Sequence, residues 1–237
     1  MKQFYDEEYW ELVEGFHEED SLFKVKYASL LIDRNHLDPD SFVEIGCGAG
    51  RAARLMANKY GAESDAFDLA ESVIEYARRN NSSPRVCFKV GSPVVGEKSY
   101  DVGYAFDVLE HVADYIGFLE ECKRIAPVWI FHVPLDMNVS SVLRHGYLRA
   151  REKVRHIHYF SELSAIETLK DVGFTVEDKT LTPGWRELKG RQPFRGAIAS
   201  APRAILGLLN TSVAAHLLGG WSLMVLCRVH TPESSEG

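Results

Sequence analysis

Val43-Glu44-Ile45-Gly46-Cys47-Gly48-Ala49-Gly50 is the stretch on which the fold turns, with Arg51 to Lys59 directly behind it. Ser41 to Ile45 is a short apolar run of strand character, Gly46 to Gly50 a tight turn, and Arg51 to Lys59 has helical composition. Strand, glycine loop and helix in that order let a backbone approach a ligand closely and aim the free N–H groups of a helix start at it. Asp68 follows Gly46 by 22 residues, at the end of the next strand. An acid at about that spacing, ~20 residues, accepts both hydroxyls of a ribose. The glycines are spaced Gly-x-Gly-x-Gly, which differs from the Gly-x-Gly-x-x-Gly of dinucleotide sites. Glu44 repels a pyrophosphate and attracts an ammonium or sulfonium, by the sign of Coulomb's law.

The alternation continues on the C-terminal side. Strands are expected at 63–67, 86–90, 100–106 and 128–133, with helices at 71–80 and 115–125 between them. A helix over 161–172 has Ser161 as N-cap, Ser164 in its first turn and Gly173 as its stop, and strands at 174–182 and 222–229 complete the set. Upstream, an acidic aromatic segment (Phe4, Tyr5, Tyr9, Trp10, Phe16) and a stretch at 22–35 both read as helical. The order β-α-β-α means a mostly parallel, doubly wound α/β sheet, here of seven strands with an antiparallel last one. The expected organisation is one domain over 1–237: an N-terminal helical segment 1–40, a core 41–182, insertions at 135–160 and 183–220, and a last strand 221–230.

Composition excludes disorder and low complexity: 46% of the 237 residues are hydrophobic, 26% charged and 11% aromatic. The net charge of −7 argues against bulk attraction to DNA. The cysteines Cys47, Cys87, Cys122 and Cys227 form no Cys-x-x-Cys pair, so neither zinc cluster nor disulfide framework is expected. The N-terminus lacks the features of a secretory or transit signal, and a cytoplasmic location is the expectation. Ala204 to Cys227 carries no Asp, Glu, Lys or Arg, yet Asn210, Thr211, Ser212, His216 and Gly219-Gly220 break it into a helix and a buried strand, which argues against a membrane span.

With the glycine loop, the Phe67-Asp68-Leu69 strand end, Phe106-Asp107-Val108-Leu109-Glu110-His111-Val112 and Tyr159-Phe160-Ser161, the chain resembles the class I S-adenosylmethionine-dependent methyltransferases, in particular the group that includes ubiquinone-biosynthesis-like and small-molecule enzymes. The resemblance covers about 41–182. It implies a Rossmann-like fold and S-adenosylmethionine as cofactor, with S-adenosylhomocysteine as product. It further implies that Gly46, Cys47 and Gly48 pass along the methionine part, with Glu44 beneath the loop. Asp68 is implied to hold the ribose, Leu69 to pack on the adenine, and the backbone at Phe106 and Asp107 to line the methionine side. Where the group often has Gly-Asp after the third strand, this chain has Gly91-Ser92, whose hydroxyl still hydrogen-bonds.

Methyl transfer from a sulfonium needs in-line placement, and a base only when the acceptor is a weak acid such as a hydroxyl. Histidine suits that role near neutral pH, and His111, His156 and His158 are the candidates; His132, inside a buried strand, reads as a core residue. No metal site is expected from the spacing. Between Arg144 and Arg203 lie twelve Lys/Arg against seven Asp/Glu, in a chain that is acidic overall. Loops after parallel strands emerge at the ligand-binding edge, so these basic insertions point to a small, anionic, partly apolar acceptor, or else form solvated helix faces. The apolar stretch at 197–218 is a lid, a homodimer contact or a peripheral membrane contact. The expected activity is methylation of a small or lipid-like acceptor, with oxygen as the leading atom. The alternatives are a non-catalytic S-adenosylmethionine-binding module with a protein partner, an RNA methyltransferase, or an NAD oxidoreductase.

Overall fold

The computed structural model describes residues 16–187 and 195–230. Phe4, Tyr5, Tyr9 and Trp10 of the N-terminal segment lie outside them, as do Lys189 and Arg191 and the side chains of Arg186 and Arg195 in the second insertion. In chain order the elements are α1 (Phe16–Arg34), β1 (Ser41–Ile45), α2 (Arg51–Tyr60), β2 (Glu63–Asp68), α3 (Glu71–Asn80), β3 (Val86–Val90), β4 (Val102–Phe106), α4 (Tyr115–Lys123), β5 (Val128–Pro134), α5 (Val139–Leu143), α6 (Gly146–Val154), α7 (Glu162–Asp171), β6 (Phe174–Thr182), α8 (Gly184–Glu187), α9 (Arg195–Leu209), α10 (Thr211–Leu218) and β7 (Ser222–Val229).

The strands form one sheet in the order β3-β2-β1-β4-β5-β7-β6. β7 runs antiparallel to both β5 and β6, while β1 to β5 pair in parallel. β4 is buried at every position and β5 at all but Pro134, as central strands covered on both faces must be. Trp129 of β5 is fully buried, stacks on Phe131 at 5.5 Å and donates its indole N–H to the carbonyl of Cys122 at 2.8 Å. Gly103 of β4 makes room for that ring: a Cβ there would lie 2.6 Å from it. Burying an indole of this size contributes on the order of 4–6 kcal/mol.

On the other face, α1 and α2 pack together. α2 buries Ala52, Ala53, Met56 and Ala57; of these, Ala52 and Met56 pack with Ala28, Leu31 and Ile32 of α1, and Ala53 with Ile74, Ala77 and Phe88. α1 begins six residues before the 22–35 expected from sequence, and it carries Lys24 to Asp107 at the carboxyl end of β4. The strand order reverses between β1 and β4, so the loops after these two strands diverge and leave a crevice at that edge.

Between β5 and α7 lie α5 and α6, and the described residues between β6 and β7 form α8, α9 and α10. Asn138 ties them together. Its Oδ1 caps α5 by accepting from the Ser141 N–H at 2.9 Å, and its amide lies where a Cβ on Gly219 would approach to 2.5 Å. No helix among the described residues is long and apolar enough to cross a membrane.

Candidate active site

The glycine loop is held by backbone hydrogen bonds. The N–H groups of Gly46 and Cys47 both donate to the Phe67 carbonyl, at 2.8 and 2.9 Å. Those of Gly48 and Ala70 donate to the two carboxylate oxygens of Asp68, at 3.0 and 3.1 Å. Asn81, a buried side chain outside the sequence expectations, closes the loop from below by donating to the Ala49 carbonyl at 2.8 Å. Gly50 sits at φ 80°, and a Cβ there would lie 2.4 Å from the Phe88 ring, so the turn into α2 requires glycine. At Gly48 a Cβ would meet nothing within 4 Å, which leaves an open face on the loop.

The sequence-expected cofactor residues gather around that face. Leu69 follows Asp68 and is 62% exposed, an apolar platform with nothing packed over it. Gly91, next to exposed Ser92, donates its N–H to the Asp68 carbonyl at 2.8 Å, bringing the end of β3 to the same place. Glu44, expected beneath the loop, lies near the end of β1 just before it as a buried side chain. The side chain is 2% exposed, and burial pushes its carboxyl well above the usual carboxylate range, with Asp68 pushing the same way and Lys24 opposing. Its Oε2 has no hydrogen-bond partner in the structure. Burial likewise pushes the Cys47 thiol up, so the loop cysteine is a packing residue and not a nucleophile.

Asp107 follows β4 in the left-handed region, φ 56°. Its carboxylate takes Lys24 Nζ at 2.7 Å and His132 Nδ1 at 2.5 Å. These partners outweigh its desolvation and hold the carboxyl well below the usual range. His132 is the core residue expected from sequence: it is buried, and its Nε2 meets Thr182 Oγ1 at 2.9 Å. Lys24 was invisible to motif reading, since a lone lysine on a helix carries no signal of its own.

The three candidate histidines separate into two groups. Although 45 positions apart, His111 and His156 meet with ring centroids 4.9 Å apart. His156 Nδ1 lies 2.5 Å from Asp136 Oδ2 and its Nε2 3.8 Å from Glu110 Oε1. His111 Nδ1 lies 3.3 Å from the Arg155 carbonyl and its Nε2 4.0 Å from the same Glu110 oxygen. Burial, aided by His156, lowers His111 to about 4, so its ring is neutral at pH 7. Glu110 is 1% exposed, and neither of its carboxylate oxygens has a hydrogen-bond partner. Burial and the charge of Asp107 push it well above the usual carboxylate range. One ligand atom from each of Glu110, His111 and His156 falls within 4.8 Å of the others, a cluster that no sequence spacing reveals.

His158 stands apart. The chain bends at His158, and its ring packs on Tyr115, centroids 4.7 Å apart. The backbone N–H groups of Ile157 and His158 both donate to the Glu110 carbonyl, at 2.9 and 3.1 Å, which stitches the first insertion to the exit of β4.

A family described as "Methyltransferase domain" matches residues 21–179, most of the region just described. The chain belongs to the class I S-adenosylmethionine-dependent methyltransferases. Among relatives of this methyltransferase, the ubiquinone biosynthesis O-methyltransferase of Paraburkholderia phymatum is 28% identical over 116 residues, 46% of this chain and 50% of that one. Its counterpart from Vibrio cholerae is 25% identical over 154 residues, covering 60% and 62%. The chain thus spans about half the length of the curated relatives it matches, and only 26% of a rice relative. In fold it is similar to the magnesium protoporphyrin IX methyltransferase of Synechocystis PCC 6803, solved with bound S-adenosylhomocysteine (TM-score 0.63, 13% identity, 97% of this chain and 98% of that one). It is also similar to the N-methyltransferase NodS of Bradyrhizobium japonicum, solved with the same molecule (TM-score 0.57, 14% identity, 95% and 94%). The family cofactor fits the residues present: the open face of Gly48, the exposed Leu69 and the unpartnered Glu44 oxygen make a half-apolar, half-acceptor cradle for an adenosine with a cationic tail.

Proposed function

We propose that the chain methylates an oxygen of a small or lipid-like, anionic, partly apolar acceptor, with His156 as general base. The observation that carries the reading is the Asp136–His156 pair, which lies against Glu110 and His111 just after β4. Asp136 accepts the Nδ1 proton, which fixes the tautomer and leaves the Nε2 lone pair to take the acceptor's hydroxyl proton. S-adenosylmethionine supplies, when bound, a methyl group on a sulfonium that leaves readily. Asp68, Gly48 and Leu69 hold the adenosine; buried Glu110 and neutral His111 pack around the base and limit water there. His158 positions the loop through its backbone and its contact with Tyr115.

The anionic class is supported by the first insertion. Several cations elsewhere pair with acids, Arg34 with Asp178, Lys179 with Glu162 and Arg228 with Glu177. Arg144, Arg149, Arg151 and Lys153 form no ion pair with a carboxylate among the described residues. The relatives named for ubiquinone biosynthesis as O-methyltransferases support oxygen as the methylated atom. The test is methyl transfer from labelled S-adenosylmethionine to a phenol panel with and without a carboxylate or phosphate. Turnover confined to anionic phenols and lost in His156→Asn is expected; turnover indifferent to both contradicts the reading.

A further inference from the structure

Three lone-pair atoms from separate parts of the chain meet just after β4. His156 Nδ1 lies 2.5 Å from Asp136 Oδ2, and His111 Nδ1 lies 3.3 Å from the Arg155 carbonyl. A carboxylate and a carbonyl only accept, so each Nδ1 carries its ring's proton and each Nε2 carries the lone pair. The two Nε2 atoms lie 3.8 and 4.0 Å from one and the same oxygen, Glu110 Oε1. One ligand atom from each of the three residues falls within 4.8 Å of the others. Glu110 is 1% exposed, and neither of its oxygens has a hydrogen-bond partner. Two imidazole lone pairs gathered at a buried carboxylate form a set of acceptors that a cation completes.

We propose that Glu110, His111 and His156 form a site for a divalent transition metal of the zinc class. The donor set decides the class: two imidazole nitrogens and one carboxylate oxygen suit zinc, whereas magnesium and calcium take oxygen ligands. An ion about 2.1 Å from each atom needs ligand atoms about 3.4 Å apart at the tetrahedral angle, so the observed spacings close by roughly half an ångström. The outer partners are those that orient metal-bound histidines, a carboxylate behind His156 and a backbone carbonyl behind His111. Backbone bonds hold the frame: the Glu110 carbonyl accepts from the N–H groups of Ile157 and His158, which fixes the residue after His156 against Glu110. The two rings meet edge to face, 80° between planes. The His111 side chain is 21% exposed, which leaves a way in from solvent.

Metal and acceptor proton compete for one lone pair, that of His156 Nε2. A bound ion therefore withdraws the base, and the site is inhibitory. That consequence rests on the reading under Proposed function; as a metal site it stands without it.

The test is binding of the metal alone. Cobalt(II), as a spectroscopic substitute for zinc, is titrated into the metal-stripped, untagged full chain, and zinc binding is measured by calorimetry. Wild type is compared with Asp136→Asn, His156→Asn and the isosteric Glu110→Gln, each checked for an intact fold by circular dichroism. One equivalent of zinc is expected, with visible cobalt bands and no cobalt–sulfur charge-transfer band. Affinity falls about 10- to 100-fold in Asp136→Asn and further in the two ligand variants. No stoichiometric binding, a sulfur band, equal affinity in wild type and both ligand variants, or magnesium bound as tightly as zinc overturns the proposal. Methyl transfer in the same samples separates the two readings. Zinc bound at one equivalent with turnover unchanged or raised removes the base role from His156 and leaves the metal site standing. Turnover lost in His156→Asn with no zinc bound to wild type overturns the site and leaves the base standing.

Discussion

The glycine-loop edge and the helical insertions of this molecule are built on opposite principles. Around Gly46 to Gly50 the position of every group is set by backbone hydrogen bonds to Phe67, Asp68 and Ala49, and side chains contribute little beyond one carboxylate and one amide. Across the crevice, in 135–160 and 183–220, short helices are held by caps, glycine contacts and side-chain pairs such as Asp136–His156, and the arginines face solvent or a cavity. A backbone site tolerates almost no variation and binds one thing. A side-chain site on helices can change its specificity without disturbing the sheet. The difference teaches where substitutions should act: on cofactor affinity and folding at the first edge, on turnover at the second.

The largest break expected is His156→Ala. If this ring is the base, kcat falls by about 10²–10⁴ while affinity for S-adenosylhomocysteine is unchanged, read by single-turnover kinetics and calorimetry. Loss of cofactor affinity instead would mean the two edges are not separable. Next is Gly50→Ala, on the other edge: the strained φ and the contact with Phe88 and Ala77 cost about 2–4 kcal/mol, and both melting temperature and cofactor affinity drop.

Lys24→Ala probes the link between the edges. It leaves Asp107 without its cation and costs about 2–3 kcal/mol, under the full buried-pair penalty because the Asp107 side chain is 28% exposed. Asp107 has a lowered folded pKa, so its contribution is present at neutral pH and lost as pH falls through that value. The gap between wild type and variant should therefore hold from pH 6 to 8 and close in acid, below about pH 4. Glu110→Gln gives the smallest effect, and of opposite sign. A buried acid with a raised pKa costs stability once pH exceeds its unfolded value, so the variant melts higher than wild type at pH 8, by about 2–4 °C per kcal/mol recovered, and the gain shrinks toward pH 5.

The same contrast governs what could be read from sequence. The cofactor edge was legible because its determinants are local: β1, the glycine loop and α2 lie within twenty residues, and Asp68 sits at the next strand's end. Helix signals were equally local at α7, where Ser161 and Ser164 form the capping box and Gly173 ends the turn at φ 94°. Lys24 and the pairing of His111 with His156 were not legible, because each depends on elements distant in sequence being brought to one edge. The burial of Glu44 was not legible either: Coulomb's sign is in the sequence, but desolvation is a property of the fold. The contact of His158 with Tyr115 was not legible either, because it depends on a left-handed Arg155 and a bend at His158 that bring the loop onto α4.

The central claim, that the loop locked by Asp68 binds the adenosine cofactor, is tested most directly by calorimetric titration of S-adenosylhomocysteine into wild type and Asp68→Ala, with NAD as control. Removing the carboxylate frees the Gly48 and Ala70 N–H groups and the ribose contact together. We expect binding to wild type, weakened about 10- to 100-fold in the variant, and none of NAD. Binding of NAD without S-adenosylhomocysteine, or equal affinity in wild type and variant, would contradict the account.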